Sequence, residues 1–67
     1  MKTVIEYVIA YKDGEEFITE NKQEADKHFK KSIKNDVHQY YRKTWVGIDG
    51  DYEEDDVEVY FNQIIGA

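Results

Sequence analysis

The chain has no cysteine and no proline, and among its 67 residues it has two histidines and a single serine. The missing thiols exclude disulfides, and His28 and His38 alone supply too few nitrogen or sulfur ligands for a structural zinc. No apolar run reaches the ~18 residues of a membrane-spanning helix. The stretch Thr3-Val4-Ile5 after Met1-Lys2 meets Glu6 too soon to serve as a signal-peptide core. The expectation is one soluble, cytoplasmic domain spanning residues 1–67.

What is present is apolar and aromatic surface, 40% and 15% of residues, which favours folding over disorder. A domain of this size buries only about 60% of its unfolded surface. With staples excluded, stability has to come from dense aromatic packing or from a second subunit.

Charge is uneven. The net value is -6, built from -3 over residues 1–21, +4 over 22–43 and -7 over 44–67. The last segment has no basic residue, and its seven acids all fall between Asp49 and Glu58.

From Thr3 to Tyr11 the pattern TVIEYVIAY is apolar on both faces of a strand. Lys12-Asp13-Gly14-Glu15 follows, and Asp-Gly predicts a two-residue type I′ hairpin turn, with positive φ at both central positions. In that register Lys12 faces Glu15, Ala10 faces Phe17 and Ile9 faces Ile18, with Glu15–Thr19 as the return strand. The period then changes to 3.6. Asn21 with Glu24 three residues on makes a capping box that starts a helix at Lys22. Ala25, Phe29 and Ile33 form its core stripe, and Lys27, Lys30, Lys31 and Lys34 its solvent side. An end near Asn35 is favoured, because Asp36 would fall in the stripe; continuation to Tyr41 is the alternative.

Tyr40–Ile48 and Val57–Ile65, rich in β-branched and aromatic residues, read as two more strands. Between them, Asp49–Asp56 is either a long acidic loop or a tight turn at Asp49-Gly50. The tight form sets Lys43 opposite Asp56 and Tyr40 opposite Val59, in a projecting arm with one acidic strand. The expected fold class is therefore α+β, ββαββ: a small antiparallel sheet of two hairpins with one amphipathic helix on one face. One helix covers one face only, so the open face predicts a homodimer.

No nucleophile elbow, phosphate loop, dinucleotide fingerprint or zinc-protease motif occurs. Ser32 beside a helix stripe reads as a packing residue, and the two histidines as structural. The expectation is a protein that is not an enzyme and takes no cofactor. For metal, D-G-D-Y-E from Asp49 resembles the opening of a calcium loop. The match fails, since Glu54 stands where glycine is needed and Tyr60 where the bidentate Glu is needed. No metal site is expected. Direct nucleic-acid binding through Lys27, Lys30, Lys31, Lys34, Arg42 and Lys43, with Tyr40, Tyr41 and Trp45 as stacking surfaces, is opposed by the net charge. It ranks third.

The leading reading inverts that one. Asp49, Asp51, Glu53, Glu54, Asp55, Asp56 and Glu58, extended, place a charge every ~5 Å, near the density of one nucleic-acid strand and below the one per ~1.7 Å of a duplex. Glu15, Glu16 and Glu20, or a second subunit, would have to add to it. Such a segment suits a basic protein surface, that of a nucleic-acid-binding protein, with Tyr52 and Tyr60 as anchors. The composition is also that expected of a phage or mobile-element inhibitor or regulator acting as a DNA mimic. The alternative is a small structural or dimerisation domain whose acids serve solubility.

Overall fold

The computed structural model describes residues 2–63. Four strands, β1 (Lys2–Tyr11), β2 (Glu16–Thr19), β3 (Val37–Ile48) and β4 (Asp51–Asn62), form one antiparallel sheet in the order β2-β1-β3-β4. Helix α1 (Lys22–Lys31) crosses over β1 between β2 and β3 and packs on β1 and β2. The α+β expectation and its element order hold. β1 is apolar on both faces because it is an interior strand, with one face under α1 and the other on the open side of the sheet.

The two Asp-Gly dipeptides make different turns. At Asp49-Gly50 both residues have positive φ, 52° and 89°, and β3 and β4 leave the turn in the two-residue register that this geometry dictates, Ile48 opposite Asp51. At Asp13-Gly14 only Gly14 is left-handed, at φ 95°. Its N–H donates to the Tyr11 carbonyl, the Tyr11 N–H donates to the Glu15 carbonyl, and the Glu15 N–H is held by the Asp13 carboxylate at 2.9 Å. This is a three-residue loop, one residue longer than expected. It shifts the register so that Ile9 faces Phe17 and Val8 faces Ile18, in place of the Ile9–Ile18 and Ala10–Phe17 pairs. The reason is tertiary: the shift puts Phe17 beside Ile9 under the helix, and the loop is tied to the start of β3 by Lys12 N–H donating to the Asp36 carbonyl. A Cβ at φ 95° is strained by about 1–2 kcal/mol, so Gly14→Ala is expected to lower stability by that amount in urea unfolding. A loss under 0.3 kcal/mol would contradict the assignment.

The helix begins at Lys22 as expected, with the Asn21 side chain accepting from Glu24 N–H at 3.0 Å, but the return half of the capping box is replaced by Asn21 N–H donating to the Thr19 hydroxyl at 3.2 Å. It ends at Lys31, earlier than either expected end. Ser32 caps it: its N–H reaches the His28 and Phe29 carbonyls, and its hydroxyl donates back to the His28 carbonyl at 2.9 Å. The chain then turns extended at Ile33, makes a single 3₁₀ turn at Lys34–Asp36, and enters β3 at Val37, three residues before the expected strand. Ile33, expected in the core stripe, is therefore 68% exposed.

The core is small: Ile9, Ala25, Val37 and Tyr40 are buried, with Tyr7, Tyr11, Phe17, Phe29 and Phe61 packed around them. Phe29 meets Tyr40 and Phe61 at ring-centroid distances of 4.8 and 5.4 Å. Tyr40 donates its hydroxyl to Asp26 on the helix at 2.5 Å. That bond, with the Lys22 ammonium beside it, holds the Asp26 carboxyl below its usual range, while burial and the same bond push the Tyr40 phenol up. Because the folded-state value of Asp26 is depressed, its contribution to stability is present above the unfolded value near 3.9 and is lost as pH falls through the folded value. Asp26→Asn is expected to cost about 1 kcal/mol at pH 7. The gap from the parent chain should narrow as pH falls below the unfolded value in unfolding titrations, and a gap independent of pH would refute the coupling.

Candidate functional site

The acidic segment is a strand. β4 runs from Asp51, inside what the sequence leaves open as a loop, to Asn62; Ile64 and Ile65 of the expected strand lie outside the described residues. It is an edge strand whose residues from Asp51 to Tyr60 are all exposed, pairing through β3 only. Acid-rich sequence is unfavourable for an interior strand and suits an edge, where charge blocks pairing with further strands.

Two bulges organise it. The register slips between Thr44 and Trp45, where Asp55 is the extra residue, and again between Tyr40 and Tyr41, where Tyr60 is. Lys43 therefore faces Val57, and Tyr40 faces Phe61, in place of the expected Asp56 and Val59. The first slip moves Asp56 and Glu58 to the helix side, where Arg42 reaches them at 2.7 and 3.3 Å, and turns Val57 and Val59 to the open side. The second turns both Tyr60 and Phe61 toward the helix, with Tyr60 against Tyr40 at 5.1 Å.

The nine sequence-predicted site residues are thus divided. Asp51 and Glu53, opposite Ile48 and Val46, share the helix-side face with Asp56 and Glu58, and Tyr60 lies at the end of that row. Glu54 points to the open face, where it binds Lys43 at 3.2 Å and raises the affinity of that ammonium for its proton. Tyr52 is also on the open side, its ring lying over Gly47 so closely that a Cβ there would stand 2.8 Å from it. Asp49 sits in the turn and Asp55 in the bulge. Among the described residues Asp49, Asp51, Glu53 and Asp55 make no ion pair, whereas Glu54, Asp56 and Glu58 hold Lys43 and Arg42. Burial, with the Glu58 charge adding to it, pushes the Tyr60 phenol up and keeps it a neutral donor.

The expected basic patch is not one surface. Lys27, Lys30 and Lys31 are exposed on α1, but Lys34 donates to the Phe29 carbonyl and covers that ring. Arg42 and Lys43 are on opposite faces of β3 and neutralised by β4. Of the three stacking candidates, Tyr40 is buried under the helix and only Tyr41 and Trp45 face the open side.

A cleft of about 580 Å³ lies between the β1–β2 loop and the end of α1, lined by Tyr11, Lys12, His28 and Ser32 among others. Its two hydroxyls, of Tyr11 and Ser32, bond to each other. The Ser32 hydroxyl gives its proton to the His28 carbonyl and accepts from the Tyr11 hydroxyl at 2.8 Å, so no base activates it. The His28 ring stacks flat on Phe17 at 3.9 Å. His38, at the start of β3, donates from Nδ1 to the Gln63 carbonyl. Among the described residues no three His, Asp or Glu side chains converge on a common metal position, and no helix is long and apolar enough to cross a membrane. Comparison with protein-family models, with curated proteins and with solved structures finds no match to this chain.

Proposed function

We propose that this chain is a non-enzymatic protein-binding module that offers the acidic edge of its sheet to a basic surface on a nucleic-acid-binding protein, as an inhibitor or regulator. The observation that carries the reading is the row Asp51, Glu53, Asp56, Glu58 along one face of the edge strand β4, with the half-exposed ring of Tyr60 at its end. Alternate residues of a strand stand about 6.7 Å apart, so this row is an ordered line of carboxylates, held by the backbone ladder and spaced more widely than the phosphates of one nucleic-acid strand. Asp49 and Asp55, in the turn and the bulge, add charge next to it.

Arg42 is part of the device. Its guanidinium fixes Asp56 and Glu58 from within and leaves their outer oxygens available, at a stability gain of about 0–1 kcal/mol for such exposed pairs. An electrostatic contact of this type associates fast and weakens steeply with salt. The test is competition: a protein captured by the immobilised chain should be released by duplex DNA at constant ionic strength. Retention under excess DNA would remove the mimicry from this reading.

A further inference from the structure

The face of the sheet away from α1 has no covering layer among the described residues, and its side chains alternate in a particular way. β1 offers Val4, Glu6 and Val8; β3 offers Trp45, Lys43 and Tyr41, and the register pairs them in that order. Each cross-strand pair therefore sets a small or acidic residue on β1 beside a large or basic one on β3. We propose that a second copy of this chain covers this face, about a twofold axis that runs along the strands between β1 and β3.

Rotation about such an axis keeps every residue at its own height and exchanges left with right. β1 of one copy then lies on β3 of the other, with Tyr41 over Val8, Trp45 over Val4, and Lys43 against Glu6, each contact made twice. At the margins Val59 of β4 meets Ile18 of the second copy's β2, since both stand at the height of the Val8–Tyr41 pair. Large residues meet small ones and the positive charge meets a negative one, which is the self-complementarity that a twofold interface requires.

Charge elsewhere agrees. The acids of β4 that repel a second copy, Asp51, Glu53, Asp56 and Glu58, are on the other face, and Glu54, which is on this one, is bound to Lys43. Glu6 accepts from the Trp45 indole N–H at 2.7 Å, so the ring is held in place before association. Val8 is already buried at 4%, so the gain from cover falls on the margins, where Ile18 is 52%, Val59 47% and Val57 43% exposed. The face measures about 19 by 30 Å from strand spacing and rise, roughly 570 Å² in projection and more in accessible area, against about 800 Å² per partner in a stable pair. Two sheets stacked this way leave both helices and both acidic rows outside, so the inference stands apart from the proposed function and survives its failure.

Sedimentation equilibrium on the full chain, on Glu6→Lys, on Lys43→Glu and on an equimolar mixture of the two tests it. The full chain should weigh twice 8.0 kDa. Each variant alone sets like charges against each other in both contacts and should raise the dimer dissociation constant at least ~100-fold. In the mixture every introduced charge faces an opposite one, and a heterodimer should return. A monomeric full chain would overturn the proposal and leave the face to another protein or to solvent. Variants that stay dimeric would overturn it too, as would a mixture that stays monomeric. Should either variant lose its circular dichroism, the exposed pair Ile18→Glu and Val59→Lys, mixed in the same way, decides by the same outcomes.

Discussion

Replacing Ile9 with alanine is expected to cost about 2–5 kcal/mol, the range for deleting a fully buried aliphatic side chain. Ile9 is 0% exposed and sits where β1, β2, β3 and α1 converge, beside Ala25, Val37 and Tyr40. A chain of this length has a total stability of only about 3–10 kcal/mol. The variant should therefore populate unfolded chain at 25 °C, seen as a lowered urea midpoint or no folded baseline. Ile33→Ala is the control: at 68% exposure it should move stability by no more than about 0.5 kcal/mol. A loss at Ile9 below 1 kcal/mol, or an equal loss at both sites, would contradict the core described above.

That pair of isoleucines also shows what the sequence could and could not reveal. The 3.6 period finds α1, its cap at Asn21 and the core residues Ala25 and Phe29. It continues through Ile33 because nothing in the pattern announces that the Ser32 hydroxyl will fold back on the His28 carbonyl and end the helix. Asp13-Gly14 and Asp49-Gly50 are the same dipeptide with different turns, and the difference lies in contacts with Asp36 and under the helix, which are distant in sequence. The strands were legible from β-branched and aromatic residues, except where β4 is acidic. Its identity as a strand depends on being an edge, a property of topology. The bulges at Asp55 and Tyr60 both serve the helix-side face, the first bringing Asp56 and Glu58 to Arg42 and the second bringing Tyr60 and Phe61 to Tyr40 and Phe29, so the division of the nine candidate residues between two faces could not be read from alternation alone.

The second large effect concerns the acidic row. Neutralising Glu54, Asp56 or Glu58 would also strip Lys43 and Arg42 of their partners, confounding binding with fold. Asp51, Glu53 and Asp55 make no ion pair among the described residues, so the triple variant Asp51→Asn, Glu53→Gln, Asp55→Asn removes charge with little structural cost, within about 0.5 kcal/mol. At about 1.5 kcal/mol for each contact with a partner's cation, affinity should fall roughly a thousandfold, with a shallower salt dependence. Because exposed charges steer encounter, part of the loss should appear in the association rate. Lys27→Glu with Lys30→Glu, on the helix, should leave binding intact; if this pair abolishes it and the triple variant does not, the lysine face is the functional one.

The most direct measurement of the central claim is a nuclease-treated capture from bacterial lysate, with the full chain and the triple variant immobilised side by side and both eluted first with duplex DNA and then with salt. A defined basic protein is expected on the full chain, released by DNA and missing from the variant. Equal recovery on both surfaces, or a captured protein that DNA does not release, would contradict it.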